Sequence, residues 1–218
     1  MAQRDEIIRF CDELLERARD AGAQMVLVHH GLLWDSQPRA LSEPMAARLR
    51  VALDARLSVA GYHLPLDAHP QIGNNALLCA GLGFEAQDEP FAETRGRGIG
   101  VIGRREEPLG AAELFERVAE LVGRKALVFD SGPPEVRSLG VVSGGGAGYL
   151  HEAIGRGLDA LLTGEPAEPA MADAREGEIH FIAAGHYATE TFGIRRLGEL
   201  VAERFEIAHE FVEIPNPV

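Results

Sequence analysis

Apolar side chains near the start of the chain fall at Ile7, Ile8, Cys11, Leu14 and Leu15, a spacing that predicts an amphipathic helix over 4–20. Gly22 ends it. Met25-Val26-Leu27-Val28 follows as a short, partly β-branched run, the pattern of a buried strand. Residues 29–42, with Gly31, Ser36 and Pro38, read as a loop. Ser42 then caps a helix running to about Arg56, with Glu43 and Pro44 suited to its first turn. A second strand spans Leu57 to Gly61. Residues 62–72 form a loop holding Pro65 and Pro70, and a helix over 74–80 stops at Gly81.

A Gly- and Arg-rich stretch, Thr94 to Gly98, precedes a strand over 99–103 and a helix over 110–122. Strands near 126–129 and 138–142 follow. The run Ser143-Gly-Gly-Gly-Ala-Gly148 leads into a helix over 149–156, and a strand spans 158–162. A helix over 166–176, a strand over 179–183, a helix over 187–204 and a last strand over 206–214 complete the pattern. Strands alternating with helices predict an α/β fold with mainly parallel sheets. The break around 92–98 divides the chain into two α/β subdomains, 1–92 and 93–218, with the final strand a candidate to return to the first sheet.

Three of these strand ends carry metal-capable side chains: His29 and His30 after the first strand, Asp67 after the second, and His186 and Glu190 after 179–183. Parallel strands deliver their following loops to one edge, where ligands gather. Imidazole plus carboxylate suits iron, zinc or manganese rather than calcium. Adjacent residues at a strand end point in different directions, so His29 and His30 serve two neighbouring metals better than one. His186 and Glu190 stand four apart on one helix face, and a carboxylate such as Glu190 can bridge two cations. Such a pair lowers the pKa of a shared water and polarises a substrate oxygen.

Each residue also has a plainer reading. Glu190 suits a helix first turn for its charge alone. His63 is a candidate to contact substrate or move protons, whereas His69 reads as a loop residue near solvent. His151, His180 and His209 read as structural or exposed. Glu165 either faces the site or merely approaches a helix. The glycine run 143–148 lacks the Lys and Ser/Thr of a P-loop, so a tight strand-to-helix turn fits better than a phosphate cradle. Trp34 is a lid over the site or an aromatic packing its loop or a subunit interface. Cys11 and Cys79 have no metal or redox spacing and read as buried small hydrophobes.

Composition narrows the partners. An apolar fraction of 46 % with 25 % charged residues is that of a folded globular chain. The 34 acidic against 21 basic residues give a net charge of −13, which repels phosphate backbones and weighs against nucleic acid as a partner. No apolar run approaches membrane-spanning length and the N-terminus has no signal-peptide pattern, so a soluble cytoplasmic protein is expected.

Five segments stand in an order that resembles a known family: Val28-His-His-Gly-Leu-Leu-Trp34; Tyr62-His-Leu-Pro-Leu-Asp-Ala-His69 with Gly73-Asn-Asn75; Thr163-Gly-Glu165; Gly185-His-Tyr-Ala-Thr-Glu190; and Ile214-Pro-Asn-Pro217. Together they resemble the GTP cyclohydrolase I type 2 homologue family, the NGG-interacting-factor-three-like proteins, from about residue 20 to the C-terminus. The resemblance implies a dinuclear metal site in the cleft between two α/β subdomains and assembly into a toroidal homohexamer. It implies that His30 and Asp67 hold one divalent ion, that His29 and His186 hold the other, and that Glu190 touches both. Members ordinarily begin with a further stretch containing a strand, whereas this chain starts close to the first helix. Longer members insert a third domain, for which the interval from Gly103 to Gly144 leaves no room.

The expected function is that of a metal-dependent hydrolase using two divalent ions (Fe, Zn or Mn). The family's name implies opening of the purine ring of GTP, with a small-molecule substrate such as a nucleotide and His63 moving protons. The alternatives are a non-catalytic metal-binding protein or metallochaperone, and a ring-shaped scaffold.

Overall fold

The structure, a computed structural model, describes residues 12–34 and 40–217. Cys11, the first part of the helix expected over 4–20, and Ser36 and Pro38 lie outside these. The chain divides into two compact units. Of the described residues, 12–34, 40–63 and 198–215 belong to the first, and 64–197 with 216–217 to the second. The boundary expected after residue 92 falls inside the second unit.

In the first unit, helix α1 covers residues 12–20, strand β1 is Met25–Val28, helix α2 is Glu43–Asp54 and strand β2 is Ser58–Gly61. β1 and β2 pair in parallel, with Met25 opposite Ser58 and Val28 opposite Gly61. A parallel pair needs a crossover, and α2 supplies it. Ser42 caps α2, its hydroxyl accepting from the Met45 amide at 3.4 Å, and proline stands in the first turn. Leu15, Ala18, Val26, Ala52 and Leu57 bury one face together, the driving force that holds two short strands against two helices.

The second unit is built on a six-stranded sheet. Its strands are β3 (Glu85–Ala86), β6 (Val101–Gly110), β7 (Leu127–Phe129), β8 (Glu135–Val142), β9 (Ala160–Thr163) and β10 (His180–Ala183), in the order β3-β6-β8-β9-β10-β7. A separate small hairpin pairs β4 (Glu93–Thr94) with β5 (Arg97–Gly98). The helices are α3 (Leu64–Asp67), α4 (Asn74–Gly81), α5 (Ala111–Val122), α6 (Leu150–Gly155), α7 (Ala170–Glu176) and the start of α8 (His186–Phe205). Alternate residues of each central strand enter two different cores. Ala160, Leu162 and Ile182 pack with Leu78, Leu114 and Val118 of α4 and α5. Leu161, Phe181 and Ala183 pack with Leu150, Ala153 and Ala174 of α6 and α7. Cys79, in the first of these cores, donates to the Phe84 carbonyl, and burial pushes its thiol up to about 11.

Three expectations are corrected. The sheet is mixed rather than mainly parallel: β8, β9 and β10 run parallel, while β3, β6 and β7 join antiparallel. The strand expected over 99–103 continues to Gly110, because β8 pairs along it and a register shift between Arg104 and Leu109 absorbs its charged middle. No strand is assigned over 206–214, and the segment belongs to none of the sheets of the described residues. This segment belongs to the first unit, where Ile214 is buried and the Arg17 guanidinium donates to the Glu213 carbonyl at 3.1 Å.

Candidate metal centre

Each unit gathers part of the chemistry. In the first, β1 delivers His29 and His30 directly after Val28, and β2 delivers His63 two residues after Gly61. Because Val28 and Gly61 are register partners, both turns leave from one edge. The strand ends also approach closely, since a Cβ on Gly61 would lie 2.9 Å from the Gly31 Cα. Ring centroids are 4.8 Å apart for His29 and His30, 5.0 Å for His29 and His63, and 4.9 Å for His30 and His63. One ring nitrogen from each lies within 4.8 Å of the others, a set that could hold a metal ion. His29 is only 7 % exposed. Trp34 makes T-shaped ring contacts with His63 at 5.0 Å and with His30 at 5.6 Å, its indole N–H donating to the Gly31 carbonyl at 2.8 Å.

In the second unit the parallel strands β8, β9 and β10 end side by side at Val142, Thr163 and Ala183. The turns that follow are stitched together: the Gly164 and Glu165 amides donate to the Gly144 carbonyl, and the Gly185 amide donates to the Gly164 carbonyl. From these turns Glu165 and His186 meet, His186 Nδ1 lying 2.5 Å from Glu165 Oε1. The other ring nitrogen, Nε2, lies 3.0 Å from Glu190 Oε2, one turn along α8. Burial disfavours a charge on this imidazole. Hydrogen bonds and charge from Glu190, then from Glu165, outweigh that and raise its pKa to about 9 in the metal-free protein.

Asp67 ends the single turn of α3, a helix where the sequence reads as loop, and is 5 % exposed. Its Oδ1 accepts from Asn74 Nδ2 at 2.8 Å, and the Ser143 hydroxyl lies 3.5 Å away. Asn74 Oδ1 in turn accepts from the Gly193 amide on α8 at 2.7 Å, so one amide side chain links Asp67 to the helix carrying Glu190. The Ser143–Gly144 turn borders both carboxylates. Gly144 has φ +63°, and a Cβ there would collide with the Glu190 carboxylate and lie 3.1 Å from His186 Nε2.

The glycine run forms a strand-to-helix turn, and three of its amides are committed within the protein. Ser143 N–H donates to Asn75 Oδ1, Gly144 N–H to Thr189 Oγ1 and Gly146 N–H to Thr163 Oγ1. The donor chemistry fits a divalent metal. Glu165 on Nδ1 is the carboxylate–imidazole arrangement that aims Nε2 at a cation, and the Gly144 turn keeps the space beside Glu190 clear of side chain.

The signature of Duf34/NIF3 (NGG1p interacting factor 3) matches residues 8–217. The chain belongs to the Duf34/NIF3 family. A Pseudomonas aeruginosa relative named GTP cyclohydrolase 1 type 2 homolog is 42 % identical over 94 % of this chain and 80 % of its own length. A Deinococcus radiodurans relative of the same name is 40 % identical over 94 % and 77 %. Among solved structures, protein ybgI, of unknown function, superposes with a TM-score of 0.87 at 38 % identity, covering 94 % of this chain and 81 % of that one. TTHA1606 from Thermus thermophilus gives 0.82 at 28 %, covering 95 % and 81 %.

Within this Duf34/NIF3 chain, the expected site residues fall into two groups. His29 and His30 lie with His63 in the first unit; Asp67, His186 and Glu190 lie around the Ser143–Gly144 turn in the second. His69 is exposed and caps its own loop, its Nδ1 accepting from the Gln71 and Ile72 amides. His180 is fully buried, with its ring between the Gly132 amide and the Pro133 carbonyl, a structural role. His151 and His209 are exposed. Sequence reasoning missed Asn74, Asn75, Ser143 and Thr189 as supports. The Asn-Asn pair at the start of α4 was the available signal, because two buried amides at a helix start need partners.

Proposed function

We propose that this protein binds two divalent metal ions and is a metal-dependent hydrolase acting on a cyclic C–N bond, as the name of its relatives suggests. In this reading the ligands are His29 and His30 from the first unit and Asp67, His186 and Glu190 from the second. The observation that carries it is His186 held between Glu165 and Glu190, an imidazole oriented by one carboxylate with another beside its second nitrogen. Bound there, the ions would polarise a water molecule and a substrate oxygen.

The chain's own groups then have separate tasks. Glu165 fixes the ring plane and tautomer of His186 through Nδ1. Asn74 fixes the Asp67 carboxylate and ties it to α8. Thr189, accepting from the Gly144 amide and donating to the Gly185 carbonyl, locks the turn beside Glu190. His63, packed against His29 and His30, takes and returns the proton.

The test is metal analysis of protein purified without chelator, anomalous scattering at the iron and zinc edges, and turnover of a nucleotide panel with added Fe, Zn or Mn. About two equivalents of metal, lost in His29→Ala and Glu190→Ala, with hydrolysis that falls in His63→Ala, is the expected result. Less than one equivalent, unchanged by those substitutions, rejects the metal site. Full metal occupancy with inertness across the panel rejects the hydrolase and leaves a metal carrier.

A further inference from the structure

One arginine reaches the sheet edge where the second unit gathers its metal-capable groups. Arg124 follows the left-handed Gly123 that ends α5, and its amide donates back to the Ala119 carbonyl at 3.1 Å. Three residues later β7 begins, pairing Leu127 with Ala183 at the end of β10. The backbone at Arg124 is thus held by a helix cap on one side and a sheet ladder on the other. Its side chain lies against the turn that follows β10. A Cβ on Gly185 would be 2.6 Å from Arg124 Nη1, 3.0 Å from Cδ and 3.1 Å from Cζ, so the guanidinium fills the space that a side chain at 185 would take. Gly185, with φ +103°, directly precedes His186, and its amide is tied to the Gly164 carbonyl.

Arg124 Nη1 is buried and has no hydrogen-bond partner among the described residues. The carboxylates of this edge, Glu165 and Glu190, are turned to His186 instead. A buried charged donor without an acceptor is destabilising until an acceptor reaches it. The planar fork of a guanidinium suits phosphate or carboxylate oxygens, which take two of its N–H groups at once. Gly185 also precedes the first turn of α8, where the helix dipole adds to the attraction for an anion. We infer that Arg124 binds an oxyanion of the substrate, a phosphate or a carboxylate, beside His186. The inference rests on the metal-centre reading above for making that anion part of a substrate, and it adds the charged group that the substrate carries. Arg124 is then a binding residue, with no part in making or breaking bonds.

The probes are inorganic phosphate and acetate, titrated by calorimetry into metal-loaded and chelator-treated protein, with Arg124→Met and Arg124→Lys alongside. At least one anion should bind the parent saturably in both states. Arg124→Met keeps much of the side chain's length without its charge and should bind that anion about tenfold or more weakly, the effect of one lost charge-assisted contact. Arg124→Lys keeps the charge but not the fork, and should fall between the two. Metal content should be the same in all three proteins. With neither anion present, Arg124→Met should melt at or above the temperature of the parent, because it removes a buried donor that has no acceptor. Tighter binding of phosphate identifies a phosphorylated substrate, and tighter binding of acetate a carboxylate one. Failure of both anions to bind, undiminished binding by Arg124→Met, or melting of that variant well below the parent overturns the inference. If metal is bound normally in that case, the anion site falls and the metal centre stands. If the parent holds no metal yet an anion still binds through Arg124, the metal centre falls and the anion site stands.

Discussion

His186 sets the chemistry at the scale of single residues. Its pKa, raised to about 9 by Glu190 and Glu165 against the cost of burial, makes it a cation in the metal-free protein at neutral pH. A folded value above the unfolded one near 6.5 stabilises the fold. That contribution is fully present below the unfolded value and is lost as pH rises through about 9. In chelator, the melting temperature of the parent should therefore exceed that of His186→Asn by most below pH 6.5, and the gap should shrink toward pH 9 and above. A cation needs the neutral ring, so metal uptake near neutral pH should release a proton from this site. Affinity should then fall about tenfold for each pH unit below the pKa, measurable by calorimetry in buffers of different ionisation enthalpy. Glu165→Gln removes the carboxylate on Nδ1 while keeping its size. It should weaken metal binding by about 10- to 100-fold, as losses of such orienting partners do.

At the scale of elements, the ends of β8, β9 and β10 matter more than their lengths. Each strand stops where its following turn must donate or accept for its neighbour, and Gly144 lies at the centre of that stitching. Gly144→Ala faces both a left-handed backbone and a collision with the Glu190 carboxylate. It should destabilise the protein by about 1–3 kcal/mol and reduce metal binding sharply. Gly148→Ala in the same run meets open space and should leave metal binding unchanged, as denaturant melts and metal titrations of the two variants would compare. The central strands were legible because short apolar runs bounded by turn residues have few other readings. The continuation of β6 through Arg104, Arg105, Glu106, Glu107 and Pro108 was not, since its charges suit a strand only where β8 lies alongside. The segment 206–214 failed in the opposite sense, strand-like in sequence yet outside every sheet of the described residues.

For the whole molecule, a metal that binds only the folded chain must raise its stability. At a free metal concentration about 100 times the dissociation constant, the gain per site is roughly 2.7 kcal/mol. Chelator should therefore lower the melting temperature, and Fe, Zn or Mn should restore it. That response should disappear in a variant joining His29→Ala with Glu190→Ala. No described helix is long and apolar enough to cross a membrane. The local sequence determined the donor types, the strand ends that carry them and the family to which the chain belongs, because hydrophobic period and motif order are properties of short stretches. Only the tertiary structure decided that His63 packs against His29 and His30, that Glu165 holds His186, and that Asn74 joins Asp67 to α8. Those pairings join residues far apart in the chain, and they depend on which strand ends lie side by side, a choice made by packing the whole sheet.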